Sequence, residues 1–170
     1  MSDPLESNGF PAGTADEVEL YLRWLGFLRG AVLRKALGLT DEQARWHPEG
    51  KLLPLIGIVN HLTGVETRWI DGEMLGRPTD KPADEYEPGA GLTIDAAVAA
   101  YRERAEATDK AVREIADLTT PIRPHDDDDD DDWADGLTLR FVLVHLINET
   151  ARHAGHADAT RELLDGVTGE

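Results

Sequence analysis

Apolar positions along the chain recur at three- and four-residue intervals in four long stretches, and no segment shows the strict alternation of a half-buried strand. The first stretch predicts a helix over residues 15–37, with Val18, Tyr21, Leu22, Leu25, Leu28, Val32 and Ala36 on the buried stripe. Thr14 and Glu17 have the spacing of a capping box, and Gly38 is a fitting stop. A connector over 39–52 begins a helical turn at Thr40, with Trp46 expected under the end of the bundle and His47 in exposed loop. The second helix opens at Pro54 and runs to about Leu75, burying Leu55, Ile58, Val59, Leu62, Val65 or Glu66, and Trp69. The third is capped by Thr93 and carries Ile94, Val98, Tyr101, Ala105, Thr108, Val112 and Ile115. The fourth follows a Thr138 cap, and its stripe includes Leu139, Val142, Leu146, Ala157, Thr160 and Leu164. The pattern predicts an all-α fold, a four-helix up-and-down bundle with long polar loops before the third and fourth helices. The expected organisation is a flexible lead-in over 1–13 and a single bundle domain over 14–166.

Composition narrows the function classes. At 170 residues and 41% hydrophobic the chain can bury one core of ordinary size. No run approaches the ~18 apolar residues of a membrane span, and no basic region precedes an apolar one at the start. The expected location is therefore the cytoplasm. The absence of cysteine removes disulfides, thiolate metal sites and a protein thiol nucleophile. The net charge is −17, and seven of those charges form the run Asp126–Asp132. Acidity is general beyond that run, which argues against nucleic-acid binding. The run lacks the alternating ligands and glycine of a calcium loop and reads as a solvated acidic segment.

Two positions on the stripe of the fourth helix are not apolar. Glu149 and His153 are one turn apart and stack on the same face. A carboxylate and an imidazole turned towards a core need compensation, because bare burial costs several kcal/mol. A divalent metal provides it. His61 borders the stripe of the second helix, and neighbouring helices pack ~8–10 Å apart, so its side chain can reach the same ion. Three protein ligands would leave a coordination position open, the pattern of catalytic zinc sites, although nickel, iron and manganese also suit these donors. The bland alternative is a surface Glu–His pair worth a few tenths of a kcal/mol. Spacing leaves His145, four before Glu149, open as a replacement ligand, and His156, three after His153, open as a ligand or supporting partner.

The segment VLVHLINETARHAGHADATRELLDG, with NHLTGVETRWI and LRGAVLRKALGLTDEQARW upstream, resembles the DinB-like superfamily of metalloenzymes, in the branch related to mycothiol-dependent isomerases and S-transferases. The resemblance covers roughly residues 15–166. It implies a four-helix bundle whose metal is held by one histidine of the second helix and an i, i+4 pair on the fourth. Most members have histidine at both positions of that pair. Glu149 departs from this and is similar to the His, Glu, His set of the mycothiol-dependent isomerase branch. The implied ligands are His61, Glu149 and His153, with His145 and His156 outside the set. The isomerase has a further domain that this sequence does not match, so the resemblance implies thiol S-transfer rather than isomerisation.

The leading expectation is a zinc-dependent transferase that joins a low-molecular-weight thiol, mycothiol by resemblance, to an electrophilic small molecule in a detoxification role. A metal with an open position lowers the pKa of a bound thiol, which a chain without cysteine would need. His145 and His156 are candidates for proton transfer, and Arg152 and Asp158 for holding the cosubstrate. Two alternatives remain at this stage: a hydrolase using bound water at the same centre, and a non-catalytic metal- or small-molecule-binding protein. Relatives in the superfamily often pair as homodimers.

Overall fold

The computed structural model describes residues 10–49, 52–123 and 135–168, which are all-helical apart from one isolated antiparallel bridge between Pro121 and Thr138. The helices are α1 (Glu17–Ala36), α2 (Asp41–Arg45), α3 (Leu55–Glu66, continuing as π-helical turns over Thr67–Met74), α4 (Ile94–Ile115) and α5 (Leu139–Asp165). The Asp126–Asp132 run and residues 1–9 lie outside the described residues. No helix among those described is long and apolar enough to cross a membrane.

The caps explain most of the boundaries. Asp16, rather than Thr14, caps α1 by accepting from Glu19 N–H at 3.0 Å, while Thr14 Oγ1 accepts from Asp16 N–H. The capping box predicted at Thr14 is instead found at Thr40, which exchanges bonds with Gln43 at the start of α2. Thr93 caps α4 as expected. Thr138 makes no side-chain cap. Leu139 and Arg140 instead donate their backbone N–H groups to Thr120 and Leu118 carbonyls, so the α4–α5 connection satisfies the helix start. Gly38 and Gly166 stand just past α1 and α5 at φ +75° and +79°, where a side chain would be strained. Trp46, expected beneath the bundle end, is exposed, and Ala44 fills the core position nearby. His47 is half-buried rather than exposed. Within the expected lead-in, Phe10 stacks on Phe27 and Arg23 holds the Ala12 carbonyl.

The core falls into two apolar clusters. One joins the end of α1, the starts of α3 and α4 and the later part of α5; the other joins the start of α1, the end of α3, the end of α4 and the start of α5. Hence α1 and α5 point one way and α3 and α4 the other. Successive helices α3 and α4 are thus parallel, whereas an up-and-down order would alternate them. Parallel neighbours require a connection that travels back along the helices, which is why the loop before α4 is long. Three glycines of α3 make its track. A Cβ on Gly57 would overlap the Tyr86 backbone, one on Gly64 the Glu85 carboxylate, and one on Gly72 would lie 3.1 Å from Thr79 Oγ1.

A polar layer separates the two clusters. Arg29, only 1% exposed, forms a bidentate pair with Glu66, itself 2% exposed, through bonds of 2.8 and 2.7 Å. Its remaining arm donates to Asp109 at 2.8 Å. The stripe drawn through Leu28 therefore misplaces the core: Leu28 is half-buried and Arg29 is inside. A second difference follows from the π-helical turns. Their i→i+5 bonding adds residues to each turn and shifts the buried phase by one, so Ile70 and Met74 enter the core while Trp69 is half-buried.

Candidate metal centre

The face of α5 that carries Leu146 also carries Glu149 and His153, and the face of α3 between Ile58 and Val65 carries His61. Because α3 and α5 pack together, His61, Glu149 and His153 converge, with one donor atom from each lying within 4.8 Å of the others. His61 Nε2 is 3.9 Å and His153 Nε2 3.7 Å from the same oxygen, Glu149 Oε2. These separations exceed a hydrogen bond. Ligands ~2.1 Å from a tetrahedral zinc lie roughly 3.4 Å apart, so the two edges that meet at Glu149 Oε2 are close to the spacing an ion requires. Both imidazoles are buried and Glu149 is half-buried.

Two of the three ligand candidates, His61 and Glu149, are held from behind. His61 Nδ1 lies 3.1 Å from Glu85 Oε2. Glu85 is 3% exposed and also accepts from Arg68 at 2.6 Å. Burial opposes its charge, but the hydrogen bonds from Arg68 and His61 hold its carboxyl below the ordinary value. An ionised carboxylate only accepts, so Nδ1 of His61 carries a proton, and the neutral ring then has its lone pair on Nε2. Asn60 fastens the same loop by donating to the Glu85 carbonyl at 2.8 Å. Glu149 places its other oxygen, Oε1, 3.4 Å from Arg152. His153 Nδ1 is buried and has no hydrogen-bond partner among the described residues.

Burial, with His61 and His156 adding to it, depresses the pKa of His153 to about 4 from an ordinary 6.5, so at neutral pH one ring nitrogen keeps its lone pair. This has a consequence for the metal-free protein. As pH falls, the unfolded chain takes up a proton at His153 near 6.5, while the folded chain resists until about 4. Stability is thus complete above the upper value and declines through the window, by at most about 3 kcal/mol from this group. His145, also depressed by burial, acts in the same direction. Glu85 contributes in that direction as well, but only as its carboxyl protonates at lower pH. Urea midpoints measured on chelator-treated protein should fall between pH 7 and pH 5; equal midpoints would contradict this account.

The other residues singled out in the sequence occupy distinct places. His145 leaves the ligand triangle and packs against Trp69 with ring centres 4.4 Å apart, beside exposed Phe141. His156 contacts His153 edge to face at 5.3 Å, and its own buried Nδ1 has no hydrogen-bond partner among the described residues. Arg152 is exposed beside Glu149. Asp158 is 2.9 Å from Lys35 Nζ on α1, away from the triangle. Arg140 pairs with Glu17.

Sequence reasoning missed Arg68, Glu85 and Tyr86. Tyr86 stacks on His61 at 4.5 Å and brings its hydroxyl to 3.3 Å from Nε2. The available signal was the set Gly57, Gly64 and Gly72, seven and eight residues apart and so on one helix face. A face stripped of side chains marks the close approach of another backbone.

None of the curated proteins matches the chain. A solved structure described as a conserved protein of locus from Enterococcus faecalis superposes with a TM-score of 0.62 at 15% identity, covering 91% of this chain and 100% of that one. At such identity the likeness concerns the fold alone. The family described as Mycothiol-S-transferase matches residues 21–166, a span that contains all four long helices except the first turn of α1, and every residue of the donor triangle. The chain belongs to the mycothiol S-transferase family.

Proposed function

We propose that the protein joins mycothiol to an electrophilic small molecule at a divalent metal, zinc by donor type, held by His61, Glu149 and His153. The observation that carries this reading is the convergence of His61 Nε2, Glu149 Oε2 and His153 Nε2 in a family of thiol transferases. In this reading the long helices form one four-helix bundle domain over 14–166.

A divalent ion held there would supply the Lewis acidity that brings a thiol to its thiolate at neutral pH, in a chain that has no cysteine of its own. The residues of the chain prepare the place. Glu85 fixes the tautomer of His61 so that Nε2 faces the triangle, and Arg68 keeps Glu85 ionised. Arg152 occupies Glu149 Oε1, leaving Oε2 as the inward donor. Burial keeps His153 neutral. Three protein donors leave one position for the exogenous thiol. In this reading His156, against His153, and His145, half-buried on its aromatic neighbours, are the candidates for moving a proton between site and solvent. Arg152 offers an exposed cation to an anionic part of the cosubstrate, and Asp158, already neutralised by Lys35, has a second oxygen for a hydroxyl.

Elemental mass spectrometry of protein purified without chelator should find near one zinc per chain. Conjugation of a model electrophile should then require added mycothiol. Turnover in water without any thiol would replace transfer with hydrolysis, and failure to take up a transition metal on titration would remove the metal reading.

A further inference from the structure

Tyr86 lies outside the donor set, yet its hydroxyl is 3.3 Å from His61 Nε2, the atom offered to the metal. Its ring stacks on His61 at 4.5 Å and its centre is 6.4 Å from that of His153, so the phenol stands at the rim of the triangle. Its place is built in. The Tyr86 backbone lies on Gly57, where any Cβ would collide with it, and the neighbouring Glu85 is locked by Arg68 and His61.

The hydrogen-bond inventory then decides what the hydroxyl does. With the proton of His61 on Nδ1, the lone pair of Nε2 accepts from the phenol. A cation bound through Nε2 takes that lone pair. The phenol must then donate elsewhere or lose its bond in a half-buried site, at a cost in stability. Glu149 turns Oε2 into the triangle and pairs Oε1 with Arg152 at 3.4 Å. The atom that fills the open position is an acceptor at that same rim. We propose that Tyr86 is a catalytic residue whose hydroxyl donates a hydrogen bond to the sulfur of the thiol there, an inference that rests on the metal-and-thiol reading above. The bond favours the thiolate over the thiol. It transfers no proton and leaves the coordination of the three side chains unchanged.

Tyr86→Phe keeps the stacked ring and removes only the donor. Zinc-loaded parent and variant are titrated with mycothiol by calorimetry, with zinc content measured on the same samples. The variant should retain its zinc and bind mycothiol roughly tenfold more weakly, the scale of a hydrogen bond to a charged acceptor. Equal affinity with zinc intact would overturn the role of Tyr86 while leaving the metal reading in place. Loss of zinc from the variant would also overturn it, making the phenol a support for His61. A zinc-loaded parent that does not bind mycothiol would overturn both readings together.

Discussion

His153→Ala is expected to empty the metal site and abolish thiol transfer while the helices stay folded. Removing a partner that merely supports a ligand costs roughly 10–100-fold in metal affinity. Removing a ligand itself should cost more, and only His61 and Glu149 would remain of the triangle. The fold should tolerate the change. Nδ1 of His153 is a buried polar atom without a hydrogen-bond partner among the described residues, so its deletion leaves no new polar group stranded there. What is lost is packing against His61, Tyr86 and His156, a penalty of about 1–2 kcal/mol. Metal content, activity and a urea curve on one preparation test all three parts. A variant that keeps its metal and its rate would show that the ion, if bound, sits elsewhere.

The second large effect is on stability and is independent of the site chemistry. Glu66→Ala should destabilise the protein by about 3–5 kcal/mol, because it strands a guanidinium that is almost wholly buried. Asp109 would remain as its sole described carboxylate partner, and that residue is 26% exposed, so it compensates only in part. For a domain with ~5–15 kcal/mol in total, such a loss is a substantial share. Replacing both partners together, Arg29→Met with Glu66→Leu, should be far milder, since no charge is then left without a partner. The comparison separates the worth of the pair from the penalty of breaking it. A single variant that loses less than about 1 kcal/mol would mean that water reaches Arg29.

Periodicity alone located the four long helices to within a few residues, because each must hide one apolar stripe and the 3.6-residue repeat writes that stripe into the chain. The same repeat placed Glu149 and His153 on one inward face and His61 at the edge of another. Resemblance then set aside His145 and His156, which spacing had left open as ligands. Arg29 was legible in principle: it stands four after Leu25 and three before Val32, a core position, and Glu66 stands likewise four after Leu62. Opposite charges at core positions on two helices are the mark of a buried pair; Glu66 stood on the predicted stripe as an alternative to Val65, but Arg29 reads as a surface residue when its helix is considered singly.

What the tertiary structure alone decided is direction and return path. Nothing in a helical repeat says which way the next helix points, and α3 and α4 are parallel. That choice sends the connecting loop back over Gly72, Gly64 and Gly57 and delivers Glu85 and Tyr86 to His61, far from it along the chain. Local spacing determines which side chains share a helix face; contacts across the loop depend on how the helices are stacked. The candidate ligands were therefore readable in the sequence, and the groups that orient them and flank the open position were not.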